Sequence, residues 1–162
     1  MKLKAKKIWL ILVTIFLFSN VIFAQAADEQ LGMIIDGSVL TNQSEVSGST
    51  LSNARGTYLA YGNATLTDKG SHVVNVSGFT SCYKTCNEVR VTLRLQRLAN
   101  GTWTTVTTLG PKSAYNDHYV SRSGNVTVTG GYYYRISGSH TAIKGSTVET
   151  TSSSTDGLWI AK

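Results

Sequence analysis

The sequence lacks the common motifs of enzymes and of metal proteins. It has no Gly-x-Ser-x-Gly nucleophile elbow, no His-Glu-x-x-His pair and no phosphate-cradling glycine loop. A zinc site normally needs four ligands, and His72, His118 and His140 stand far apart in the chain. We therefore expect a non-catalytic protein with no catalytic residues, no metal and no cofactor.

Two histidines could form part of a catalytic triad with an acidic residue. His118 follows Asp117, and His140 could be combined with Glu149. A serine nucleophile needs a histidine base and an orienting carboxylate in contact with one another, and closeness in sequence is a weak indication of such contact. Neither pair is assigned a catalytic role, and a small secreted hydrolase is kept as an alternative.

The chain has little net charge once its first residues are set aside. The formal charge is +6, from 15 basic and nine acidic residues, and four of the lysines lie within the first seven residues. Without those four lysines the balance is 11 − 9 = +2. Nucleic-acid binding needs a clustered basic face, whereas the nearest cluster, Arg90, Arg94 and Arg97, is typical of a solvated strand face. We expect no nucleic-acid partner.

The first 26 residues have the pattern of a secretory signal peptide. Lysines precede an apolar run from Ile8 to Phe18, and Ala24-Gln25-Ala26 is a small-x-small cleavage site. The run is short for a membrane-spanning helix of roughly 20 residues. No cysteine follows the cleavage site to carry a lipid, and no apolar stretch near the C-terminus could anchor the chain. We predict a cleaved signal peptide at 1–26 and a soluble extracellular product, secreted or associated with the cell wall.

Helical periodicity is absent after the signal peptide. Residues 27–55 are rich in Ser, Asn and Gly, which suits a flexible N-terminal arm or a single edge strand. Beyond them, short β-favouring runs alternate with turn residues at the spacing of a sandwich or barrel. We predict that 56–162 is one all-β domain of seven to nine strands, an immunoglobulin-like or fibronectin-III-like β-sandwich.

Several elements of this domain are predicted individually. The run from Val89 to Leu98 alternates apolar and polar residues as a strand does, and Asn100-Gly101 after it favours a tight hairpin. The return strand is expected from Trp103 to Leu109. Loops are expected at Pro111–Tyr119, which contains the only proline, and at Ser139–Gly145.

The segment GYYYRISG is predicted to be a central strand of the sandwich. Alternation places Tyr132, Tyr134 and Ile136 on the face that forms the structural core. Tyr133 and Arg135 share the opposite, outward face. Tyr132, near the start of the strand, is expected to form a tyrosine corner, in which its hydroxyl bonds back to the backbone.

Exposed aromatic residues are the candidates for a binding surface, because such rings stack on sugars or fill pockets in partner proteins. The candidate residues are Tyr133 with Arg135, Tyr83, Tyr115 and Tyr119. Each tyrosine could also be an ordinary strand residue, since tyrosine is common in sheets.

Cysteine is scarce, and Cys82 and Cys86 are the two present. In an oxidising compartment such a pair normally forms a disulfide. A bridge across so short a loop would stabilise the fold by about 2 kcal/mol and would stiffen the loop between two strands. A redox site would instead favour Cys-x-x-Cys beside a helix start.

Several short motifs occur along the chain after the signal peptide. They include Asp36-Gly37-Ser38, Arg55-Gly56, Leu95-Gln96-Arg97, Gly101 with Trp103, and the tyrosine strand followed by Gly138, His140 and Glu149. Together these motifs resemble a family of small secreted proteins of Gram-positive bacteria that is catalogued as a domain of unknown function. The resemblance covers nearly all of the chain after the signal peptide, and its motifs are structural. It supports the fold and export but implies no activity, cofactor or site residue.

The function that we expect from the sequence is that of a secreted, non-catalytic interaction module. Its ligand would be an extracellular protein or a cell-wall polymer, and the sequence defines neither the ligand nor the oligomeric state. One alternative is a carbohydrate- or cell-wall-binding module or a small secreted hydrolase. Another is a secreted toxin or a bacteriocin-like factor.

Overall fold

The computed structural model describes residues 30–51 and 56–162, so the predicted signal peptide lies outside the described residues. Nine strands account for most of these residues, and no helix occurs among them, which confirms the all-β class. The described residues accordingly contain no helix with the length and apolar character of a membrane span. The strands are β1 (Ile34–Ile35), β2 (Ser38–Thr41), β3 (Glu45–Leu51), β4 (Leu59–Asp68), β5 (Val73–Ala99), β6 (Thr102–Thr127), β7 (Tyr132–Lys144), β8 (Thr147–Ser154) and β9 (Gly157–Ile160).

All nine strands belong to one hydrogen-bonded sheet. Its order is β1-β2-β9-β7-β5-β4-β3, with β6 beside β5 and β8 beside β7. The pairs are antiparallel except for β2 with β9, which is parallel. The predicted division into the two separate sheets of an immunoglobulin-like sandwich is therefore not confirmed. Strand β5 is continuous and pairs with both β4 and β7, so it connects the strands into one sheet.

Strand β5 is the element that shapes this sheet. Residues 74–82 pair with β4, and residues 88–97 pair with β7. The register of the β5–β6 ladder shifts between Ser81 and Cys86. Because such irregularities bend a strand, β5 turns at this point and divides into a first and a second half.

The two halves of β5 fold over one another. The hydroxyl of Thr80 in the first half donates to the carbonyl of Arg90 in the second, at 2.9 Å. A Cβ atom at Gly78 would meet the side chain of Leu93, so glycine allows this close approach. The core lies between the halves. It includes Val74 and Val76 from the first half and Val89, Val91, Leu93 and Leu95 from the second.

The predicted hairpin after Ala99 is confirmed, but the two predicted loops are wrong. Asn100 and Gly101 have φ angles of 52° and 74° and join β5 to β6. The chain from Pro111 onward remains in β6, because it stays paired with β5 and the ladder absorbs the irregularity as register shifts. Strand β7 likewise continues to Lys144, since it pairs with β5 on one edge and β8 on the other.

The described residues before the proposed domain start at residue 56 form strands of the same sheet. Strand β3 pairs along its length with β4 and ends the strand order. The side chains of Leu40 in β2 and Val46 in β3 are buried. The compact unit of the structure accordingly begins at Gly32 and ends at Lys162.

The inner face of β7 is largely as predicted. Tyr134 and Ile136 are buried in the main core, and Tyr132 is half-buried against it. The tyrosine that bonds back to the backbone is Tyr134, however, whose hydroxyl donates to the carbonyl of Thr129 at 2.7 Å. Assigning this role to Tyr132 was wrong. The buried hydroxyl of Tyr134 requires a partner, whereas the ring of Tyr132 lies under the guanidinium of Arg97.

The opposite face of β7 is covered, so the prediction that Tyr133 and Arg135 are solvent-exposed is wrong. Both residues are buried. The ring of Tyr133 packs on Trp159 with the centroids 4.9 Å apart, within a small second core that includes Leu40 and Leu98. Tyr133 and Arg135 therefore pack β1 and β2 against β7, and they are not accessible as a binding surface.

Candidate functional site

The outward side of the first half of the sheet carries a mixture of polar and aromatic side chains. We call the outward side chains of β3, β4, the first half of β5 and the second half of β6 the polar–aromatic face. It arises from strand alternation: in β4, Ala64 and Leu66 are buried, whereas Asn63, Thr65 and Thr67 between and after them are partly exposed.

Three aromatic rings form a row across this face. Tyr61 in β4 lies 5.5 Å from Phe79 in β5, measured between ring centroids, with the planes inclined at 42°. Phe79 lies 5.5 Å from Tyr119 in β6, with an inclination of 33°. The register makes the rings diagonal neighbours, because Ser81 is the cross-strand partner of both Tyr61 and Tyr119. Aromatic side chains can reach one another along this diagonal.

Two rings of the row, Phe79 and Tyr119, line a shallow groove of about 460 Å³. Side chains with hydroxyl or amide groups supply most of its lining, including Asn63, Thr65, Asn75 and Ser77. The charged residues that line the groove are Glu45 and Arg122. Their charges cancel, so the formal charge of the lining is zero.

Hydrogen bonds between neighbouring strands orient the polar groups of the face. The amide nitrogen of Asn75 donates to the Oδ1 atom of Asn125 at 2.8 Å. The hydroxyl of Thr67 donates to Glu45 at 2.8 Å. Because each of these side chains retains further donor or acceptor capacity, the face presents oriented hydrogen-bonding groups to a ligand.

The three predicted binding tyrosines that are exposed lie in two different environments. Tyr119 belongs to the aromatic row and is 43% exposed. Tyr83 and Tyr115 are 65% and 70% exposed and lie beside the bend of β5, outside the row. Tyr61 and Phe79 are functional candidates that were not predicted from the sequence. The signal that could have indicated them is an aromatic residue at an outward position among Ser, Thr and Asn.

A family model describes most of this chain. It matches residues 26–158 and represents a family of unknown function, DUF6147. The chain belongs to the DUF6147 family. No curated protein and no solved structure matches the chain. Membership of DUF6147 brings no activity or site residue with it.

The histidine of this DUF6147 chain that has hydroxyl partners is buried in the core. Nδ1 of His140 lies 2.9 Å from the hydroxyl oxygen of Thr80, and Nε2 lies 2.8 Å from that of Ser153. Burial lowers the pKa of His140 to about 4, so the ring is neutral at physiological pH. A Cβ at Gly62 would collide with this ring, which explains the glycine in β4.

Glu149 does not join His140 in a triad. Its carboxylate instead accepts the backbone N–H groups of Thr57, Tyr58 and Leu59, at 2.8, 3.0 and 2.7 Å. Burial alone would raise the pKa of Glu149, but these three donors hold it below its ordinary value. The contact fixes the start of β4 to β8.

The other histidine–acid pair lies on the surface of β6. Nδ1 of His118 is 3.3 Å from Asp117, and both side chains are exposed. Since His140 is fully buried, the structure does not bring the two histidines into a common concavity. Among residues 30–51 and 56–162, no group of three His, Cys, Asp or Glu side chains is arranged to hold a metal ion.

The two cysteines lie at the bend of β5, and the predicted disulfide is not present. Both are free thiols and both are buried. Residues 82–86 form part of the strand, in which the side chains between the cysteines are exposed and the thiols face the core. Burial, together with a hydrogen bond to the thiol of Cys86, raises the pKa of Cys82 to about 12.

Proposed function

We propose that this protein is a non-catalytic interaction module whose ligand binds across the polar–aromatic face. The observation that carries the proposal is the row formed by Tyr61, Phe79 and Tyr119 beside a groove of oriented hydroxyl and amide groups. Aromatic residues on the outside of a sheet supply contact area at low entropic cost, and a few placed polar groups supply orientation.

The surroundings of the acid–base groups favour binding over catalysis. The imidazole of His140 and the hydroxyl of Ser153 are in contact but are 0% and 3% exposed, so a substrate has no access to them. Glycoside hydrolysis requires two carboxyl groups about the reacting bond. The groove has one, Glu45, and it already accepts a hydrogen bond from Thr67.

The proposal includes a location outside the cell. The pattern of residues 1–26, with lysines, an apolar run and a small-x-small site, supports export and cleavage after Ala26. The partner would then be an extracellular protein or a cell-wall polymer. Mass measurement of the protein from the culture medium should give a chain that starts at Ala27. Recovery only inside the cell, at the mass of the whole chain, would contradict this location.

Binding of labelled protein to purified Gram-positive cell walls tests the function. Two wall preparations are needed, one with its proteins and one treated with protease. We expect saturable binding to at least one of them, weakened about tenfold or more by Tyr119→Ala. Tyr115→Ala is the matched control, because Tyr115 is an exposed tyrosine of the same strand outside the row. Absence of saturable binding, or equal binding by both variants, would refute the proposal.

A further inference from the structure

We infer that the ligand of the polar–aromatic face is a neutral polysaccharide chain that lies along the aromatic row. The inference rests on the proposed function and specifies the ligand class. Three features carry it: the geometry of the row, the chemistry of the groove and the charge of the groove.

The row matches a linear ligand made of repeating rings. A pyranose ring has an apolar face of C–H groups that packs on an aromatic side chain, while its hydroxyls point sideways. Tyr61, Phe79 and Tyr119 follow one another at equal centroid spacings of 5.5 Å. Successive sugars of one chain can therefore contact successive rings.

The inclination of the rings indicates which polysaccharides fit. The planes of neighbouring rings are inclined to one another by 42° and 33°. A row of rings that are not coplanar fits a single flexible chain whose sugars rotate relative to one another. It does not fit the flat surface of a crystalline polysaccharide, which requires coplanar rings.

The chemistry of the groove suits sugar hydroxyls, which donate and accept hydrogen bonds at the same time. Serine, threonine and asparagine side chains have the same dual capacity. Asn75 and Ser77 lie on β5 in the sequence that leads to Phe79 and line the groove beside the row. Asn75 already donates to Ser123 and Asn125, and Ser77 donates to the carbonyl of Thr65. Their oxygens can therefore accept hydrogen bonds from the hydroxyls of a chain stacked on the row.

The charge of the groove argues against the other polymers that stack on aromatic rows. Single-stranded nucleic acids need a positively charged groove that follows the phosphates. Here Arg122 is balanced by Glu45, and the remaining lining is uncharged. Acidic polysaccharides and phosphate-containing wall polymers are disfavoured for the same reason. A protein partner would need a larger apolar centre than this groove provides.

Affinity electrophoresis with defined soluble polymers tests the inference. The neutral probes are laminarin, hydroxyethyl cellulose, pullulan and chitohexaose, and the anionic probes are polygalacturonate and single-stranded DNA. We expect at least one neutral probe to bind, with little change when the salt concentration is raised. Phe79→Ala and Tyr119→Ala should each weaken binding about tenfold or more, whereas Tyr119→Phe and Tyr115→Ala should retain it.

The outcomes separate this inference from the proposed function. Row-dependent wall binding that disappears after protease treatment, with no binding of any neutral probe, would overturn the polysaccharide and leave an interaction module for a protein. Preference for an anionic probe would also overturn it. Loss of all row-dependent binding would remove the proposed function as well. Circular dichroism and thermal unfolding of each variant show whether a loss reflects the site or the fold.

Discussion

The imidazole of His140 in β7 contacts the hydroxyl of Thr80 in β5, with 2.9 Å between Nδ1 and Oγ1. The contact joins the two halves of the folded sheet across the core. Because both ring nitrogens have hydroxyl partners and the residue is fully buried, the neutral imidazole is satisfied and the charged one is disfavoured. Protonation of the His140 imidazole would therefore place a charge in the packed core.

Acid should destabilise the protein through His140. The folded pKa is about 4, below the ordinary 6.5, so the unfolded chain binds the proton more tightly. Stability from this residue is complete above pH 6.5 and is lost as the pH falls to 4. Linkage gives a loss of about 3 kcal/mol in the free energy of unfolding over this interval. Urea unfolding at a series of pH values measures it.

The variant His140→Gln separates this effect from the titration of carboxylates. It should lower stability at neutral pH, because the packing around Gly62 changes, but its stability should depend less on pH between 6.5 and 4. Parallel pH profiles for the two proteins would contradict the assignment.

The parts of the fold that could be predicted depend on local patterns. The alternation from Val89 to Leu98 and the Asn100-Gly101 turn involve residues adjacent in the chain, and the structure has both. The length of β6 could not be predicted, because glycine and proline at 110 and 111 indicate a break. In the structure β6 continues past these residues, and its pairing with β5 shifts register there. Such a shift depends on both strands and cannot be predicted from the sequence of one.

The site is harder to predict than the fold, because it depends on register between distant segments. Tyr61, Phe79 and Tyr119 meet only because Ser81 pairs with positions on both of its neighbouring strands. Arg135 illustrates the opposite error. Its alternation with Tyr134 is correct, but the outward face of β7 is covered by residues from distant parts of the chain, including Leu40 of β2 and Trp103 of β6. No pattern within β7 indicates this covering.

Replacement of Arg135 should loosen the turn between β1 and β2. Its guanidinium donates to the side chain and the carbonyl of Asp36 at 2.6 and 2.9 Å and lies over the ring of Trp103. Arg135→Lys retains the charge but loses the planar donor group, so we expect a loss of about 2 kcal/mol. Hydrogen exchange should increase at the amide of Leu40, which bonds to Met33.

A matched control for this change is Arg94→Lys, since Arg94 lies on β5 and is exposed. It should alter neither stability nor exchange at β2. If Arg135→Lys and Arg94→Lys behave alike, the buried guanidinium does not hold the turn.

Substitution of Glu149 should free the start of β4. The carboxylate accepts three backbone N–H groups, and Glu149→Gln offers one neutral oxygen in their place. We expect a loss of about 1 to 2 kcal/mol at neutral pH. Because the folded pKa lies below the ordinary value of 4.5, this contribution is present above pH 4.5 and is lost as the pH falls through the folded pKa.

Faster hydrogen exchange at Leu59 in Glu149→Gln would identify the site of the loss. Glu45→Gln serves as a control of the same chemistry, because Glu45 bonds only to the exposed Thr67 hydroxyl among its described hydrogen bonds. A Glu149→Gln protein with the exchange pattern of the parent chain would show that the three contacts contribute little.

The thiols at the bend of β5 should be unreactive in the folded protein. Burial and the neighbouring thiol raise the pKa of Cys82 to about 12, and the thiolate is the reacting species. We expect modification by a disulfide reagent at neutral pH to be at least about a hundredfold slower than in urea. Thr85→Cys, at an exposed position of the same bend, should add a fast-reacting thiol. Two native thiols that react as fast as this one, or a mass lower by two hydrogens, would show that the bend does not protect free cysteines.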